Sequence, residues 1–116
     1  MKRLILLAAM AAGGLGASCA SSVPPPNDQW SAAQVEIGRA QASGAPQVPD
    51  AKLHLQLALE DLQKGKDLIG RDNRRAGTVI ALARTEAQLS ATLTQEAMAR
   101  SSAQEALQNL SPGSRQ

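Results

Sequence analysis

Between Asp72 and Leu110 the chain runs for 39 residues without a proline, and its one glycine there, Gly77, falls near the start. Ala76, Val79, Ile80, Ala83, Ala87, Ser90, Thr94 and Ala97 recur at three- and four-residue steps, which makes one narrow stripe of small residues. Leu82, Leu89 and Leu93 make a neighbouring stripe. A continuous helix of that length spans about 58 Å at 1.5 Å per residue. Small residues along a seam let another helix approach closely, and alanine also simply favours helix. Both readings lead to an all-α fold.

Two shorter helical patterns precede this one. Trp30, Ala33, Ile37 and Ala40 form an apolar stripe, with Asn27, Asp28 or Ser31 as candidate caps and Gly44 suited to the position after the end. Ala45 to Val48, flanked by Pro46 and Pro49, reads as a short connection. A second helix is expected from near Pro49, because proline is tolerated in a first turn. Leu55, Ala58, Leu59, Leu62 and Ile69 share its face, widened by Leu53, Leu57 and Leu68. The alternation from Leu53 to Leu59 is also a strand signal, but the absence of β-branched residues argues against a strand. Gly65 costs up to about 1 kcal/mol against alanine inside a helix, so a bend or an end is expected there. Gly70 is the stop signal and Asp72 the cap of the third helix. The expected architecture is two to three helices with a coiled-coil-like antiparallel hairpin between the second and third. Its core is thin, since the chain has one Trp and no Phe or Tyr.

The N-terminus differs in kind. Met1-Lys2-Arg3 is positive, and Leu4 to Gly16 is an uncharged apolar run of thirteen residues. That run suits a signal-peptide core and is shorter than the roughly 20 residues of a spanning helix. Leu15-Gly16-Ala17-Ser18-Cys19 then resembles the bacterial lipobox, in which the cysteine is diacylated and signal peptidase II cuts just before it. Gly16 stands where a large aliphatic residue is usual. Two other readings fit: cleavage by signal peptidase I after Ala20, which releases a soluble protein, or an uncleaved anchor with an incidental cysteine. Acylation of Cys19, palmitate included, is the reading adopted, because the chain's only Cys closes the apolar core. Ala20 in place of Asp points to the outer membrane under the lipoprotein sorting rule. The expected divisions are a signal peptide over 1–18, a lipidated Cys and flexible Pro-rich tether over 19–28, an alanine-rich helical domain over 29–110, and a loose tail over 111–116.

Charge excludes several functions. The formal net charge of +2 includes Lys2 and Arg3, so the mature part carries ten basic and ten acidic side chains. No basic surface for nucleic acid survives that subtraction, and aromatic residues for base stacking are nearly absent. One Cys and one His exclude a Cys/His zinc cluster. His54 has Asp50 four residues before it, yet there is no nucleophile elbow to complete a hydrolase. Glu60, Asp61, Asp67 and Asp72 lack the spacing of a calcium loop and are interleaved with bases. No phosphate-binding or dinucleotide motif is present, so no cofactor, metal or small-molecule substrate is expected. The one local asymmetry runs from Lys64 to Arg75, with five basic and two acidic residues. Lys64, Lys66, Arg71, Arg74 and Arg75 form a candidate contact for anionic lipid or wall polymer at the predicted turn, or a solvated hairpin end.

The block Asp72-x-x-x-Ala76-x-x-Val79-x-x-x-Ala83-x-x-Glu86-Ala87, with Ala58 and Leu62 before it and Gly44-Ala45 followed by Pro49, carries a resemblance. It is similar to the alanine-rich bacterial lipoprotein domain catalogued as domain-of-unknown-function family 4398. The resemblance runs from Trp30 to about Ala91, with Gly65 and Leu68 standing where alanine is usual. It implies a lipoprotein signal, a Pro-rich spacer, three alanine-rich helices and an envelope location, and it implies no activity. The expected function is accordingly a non-enzymatic, membrane-tethered scaffold or interaction module facing the periplasm. Its partners are the membrane, through the lipid, and an envelope protein or a second copy, through the helices. The terminal Gly113-Ser114-Arg115-Gln116 has no closing Lys of the kind that joins a murein lipoprotein to peptidoglycan, so covalent wall attachment is not expected. The rival class is a small periplasmic ligand-binding protein or enzyme with a groove between its helices.

Overall fold

A computed structural model describes residues 22–111 and 113. Pro26 closes an extended segment and stands directly before α1, Asn27–Ala42. The helix thus starts two residues earlier than position 29. None of the three expected caps acts as one: the first bond is Trp30 N–H to Pro26 O at 3.0 Å, and Ser31 Oγ donates to Asn27 O instead. Gly44, at φ 98°, takes the left-handed conformation that ends α1. A single 3-10 turn, Ala45–Gln47, leads to α2, Pro49–Leu68, whose proline sits in the first turn. Gly70, at φ 84°, reverses the chain, and α3 follows as one helix, Asn73–Leu110. Asp72 caps it, accepting from Arg75 N–H at 3.0 Å.

The three helices run up, down and up. Gly77 lies beside Gln29 and Pro26 while Gly44 lies beside Thr94 and Met98, so α1 is parallel to α3. α2 is antiparallel to α3 and shares the largest interface with it. Buried positions in α2 are Ala51, Leu55, Ala58, Leu62 and Gly65; in α3 they are Ala76, Ile80, Ala83, Ala87, Ser90 and Thr94. Both sets step alternately by four and three, the 3.5-residue repeat that keeps a seam facing its partner along its whole length. Ala33, Ile37 and Ala40 bring α1 onto the same core. Trp30 packs beside them with its indole N–H unpaired among the described residues, so apolar contact alone holds the ring.

Ile37, Leu55, Leu62 and Ile80 are the large apolar side chains fully taken into this core. Each contributes about 1.5–3 kcal/mol, and the alanines contribute mostly by permitting close approach. Gly65 shows the closeness best. A Cβ built there would lie 2.5 Å from Ile80 Cγ1, well inside contact distance. The helix therefore passes straight through Gly65, without the expected bend or end. The glycine is the socket for Ile80, and packing outweighs its propensity cost.

Two other expectations change. Leu53, Leu57 and Leu59 are exposed, because only every third or fourth residue of their alternating run can face the seam. The Pro-rich segment is no free tether over its described part. Asn73 Nδ2 donates to Val23 O at 2.7 Å, and Pro24–Pro26 lie against the first turns of α3. The signal peptide, Cys19 and most of the expected tail lie outside the described residues.

Candidate functional site

The hairpin tip is built around Asn73. Its Oδ1 accepts from Gly70 N–H at 2.8 Å and its Nδ2 holds Val23 O. One amide thus clamps the turn and the proline strap together. The five expected basic residues gather around this tip. Lys64 Nζ is 3.1 Å from Asp61 Oδ1, a pairing worth little at the surface. Lys66, Arg71, Arg74 and Arg75 are exposed and make no ion pair with the described residues. Lys64, Arg71 and Arg75 line one shallow depression with Leu68 and Val79, and Arg74 lines the groove under the strap beside Asp28. Of the acidic residues nearby, Asp61 pairs with Lys64, Asp67 accepts from Gln63 at 2.9 Å and Asp72 caps α3, while exposed Asp28 lies in the groove beside Arg74. Among the described residues no group of three His, Cys, Asp or Glu side chains gathers to hold a metal ion.

The second surface is the flank of the α2–α3 seam. His54 Nδ1 lies 2.6 Å from Glu86 Oε2, both side chains being only 27% and 21% exposed. His54 thus reaches across the hairpin to Glu86, and its hydrogen bond does not go to Asp50. No signal within either helix announces this pair. It follows only from the antiparallel register that puts Ala51 beside Ser90. Ser90 Oγ, fully buried, donates to Ala51 O at 2.7 Å, which commits its proton to the backbone and leaves it no nucleophilic role. The pair is a polar bridge over the seam.

Leu57 lies one turn from His54, and Leu82 and Leu89 lie one turn to either side of Glu86. All three are exposed, and half-buried Leu93 and Val79 continue the same strip. Within the packed half of α3 this strip, and not the alanine stripe, is the apolar surface open to another molecule; Met98, Leu107 and Leu110 are exposed beyond it. Ala83 and Ala87 are 0% exposed and already face the hairpin's own interior. Beyond Thr94 the helix leaves the bundle. Met98 to Leu110 is exposed on every side, an overhang of about 20 Å.

Among the described residues no helix is long and apolar enough to cross a membrane. Compared with family models, curated proteins and solved structures, the chain matches none, so its reading rests on the geometry just described.

Proposed function

We propose that this chain is a non-enzymatic envelope lipoprotein. It is exported, cut before Cys19, acylated there, and held at the outer membrane as a helical contact module facing the periplasm. The observation that carries the contact role is the leucine strip beside a fully occupied seam. Leu57, Leu82 and Leu89 stay exposed together on one flank of the filled seam, where half-buried Val79 and Leu93 continue them. Exposed apolar strips of this kind favour a partner helix or a second copy. The lipobox-like Leu15–Cys19 and the apolar run before it support the anchor.

Two experiments test the reading. Labelled palmitate is expected in the wild-type protein and not in Cys19→Ala; a soluble, unlabelled wild type would favour signal peptidase I. Photocrosslinking from positions 82 and 89 in intact membranes is expected to capture stoichiometric envelope proteins or a second copy, and Leu82→Glu/Leu89→Glu is expected to lose that partner while keeping its helicity. No captured protein, combined with saturable small-ligand binding that depends on His54, would overturn it in favour of the rival class.

A further inference from the structure

We infer that the hairpin tip is the membrane-facing end of the molecule, where Lys66, Arg71, Arg74 and Arg75, with Lys64 beside them, bind an anionic lipid surface. The inference rests on the anchored reading above, and the strap is what joins the two. Asn73 pins Val23 to the tip, so the chain before Val23 is joined to the fold at this end. Cys19 is only four residues further back, a span of at most about 14 Å of extended chain. A bilayer holding an acylated Cys19 is therefore within reach of the tip, close to the screening length of about 8–10 Å at ordinary salt. An uncleaved apolar anchor leads to the same end.

Charge agrees with this placement. The span from Lys64 to Arg75 has a net charge of +3 in sequence; Asp61 beside Lys64 and Asp28 beside Arg74 offset part of it, which leaves Lys66, Arg71 and Arg75 as the outward cations. Among the described residues the opposite end has no such cluster. Its overhang carries Arg100, paired with Glu96, and one acidic residue, Glu105. That end lies about 57 Å along α3 from Asn73, far beyond any attraction to the same surface. The lipid anchor and the basic tip then act as two linked contacts: the first supplies affinity and the second fixes orientation, pointing α3 away from the bilayer.

The test uses the full chain purified from membranes and placed in vesicles of phosphatidylcholine, alone or mixed with phosphatidylglycerol. A fluorophore is attached at Thr78→Cys, near the tip, or at Gln108→Cys, on the overhang, and a quencher is carried on the lipid headgroups. Quenching at 78 but not at 108 is expected in the anionic vesicles. It should fall with added salt and in R71Q/R74Q/R75Q, whose tip affinity drops roughly a hundredfold at about fivefold per residue. Unchanged helicity of that variant shows that the fold is intact. Equal quenching at 78 and 108, or no response to lipid charge, would overturn the inference. Mass analysis of the N-terminal peptide and vesicle flotation separate the two readings. Acyl present with a tip indifferent to lipid charge removes the tip and keeps the anchor. Acyl absent with flotation only on anionic vesicles removes the anchor and keeps the tip. Neither acyl nor flotation removes both.

Discussion

The two ends of α3 belong to one helix yet meet opposite fates. From Ala76 to Thr94 every third or fourth residue is buried against α2 and α1; from Met98 to Leu110 every residue is exposed. Helix propensity does not separate them, since both halves are rich in alanine and neither contains proline. What changes is the seam. The register that places Ala76, Ile80, Ala83 and Ala87 inside continues as Ser101, Gln104 and Gln108, which have nothing apolar to bury. An isolated helix shorter than about 12–15 residues is marginal in water, so the overhang persists by propagating from the packed half. Propensity sets how far the helix runs, and packing sets where it is stable.

The largest effect that would break this contrast is a charge on the seam. Ala83→Glu places an unpaired carboxylate at a fully buried position and is expected to cost more than about 4 kcal/mol, enough to unfold a core this thin. Thermal denaturation by circular dichroism should show no cooperative transition. Glutamate at the exposed Leu82, one residue away, should leave the transition in place. Next in size is Gly65→Ala, expected to destabilise by about 1–3 kcal/mol, although alanine is the better helix former. Removing its obstacle with Ile80→Ala, which deletes Cγ1, should make the two losses less than additive in urea midpoints. If Gly65→Ala stabilised the protein, the socket account would be wrong.

Much of this architecture was legible beforehand. Proline and glycine punctuation placed α2 at Pro49, the turn at Gly70 and the cap at Asp72, because local backbone chemistry decides those points. The parts that were not legible depend on register between helices. Gly65 looks like a weak point until Ile80 is opposite it. Leu53, Leu57 and Leu59 look like core until the seam selects Leu55 and Ala58. Asn73 looks like an ordinary first-turn residue until Val23 lies within its reach. His54 has a visible local neighbour in Asp50 and a decisive distant one in Glu86. The targeting reading of residues 1–19 rests on composition and order alone, and those residues lie outside the described ones.

Smaller changes sharpen the comparison. Ser90→Ala removes the hydroxyl bound to Ala51 O and is expected to cost about 1 kcal/mol, read from the urea midpoint. A double-mutant cycle of His54→Ala and Glu86→Ala should give a coupling of about 0.5–1 kcal/mol, typical of a partly exposed pair. Leu107→Glu, on the overhang, should move the thermal midpoint by less than the equivalent of about 0.5 kcal/mol.

Amide hydrogen exchange along α3 tests the central contrast most directly, at concentrations low enough to keep copies apart. Slow exchange from Ala76 to Thr94, limited by unfolding of the bundle, and fast exchange from Ala99 to Leu110 are the expected result. Equal protection along the whole helix would contradict it, because the overhang would then be held by something other than propagation from the seam.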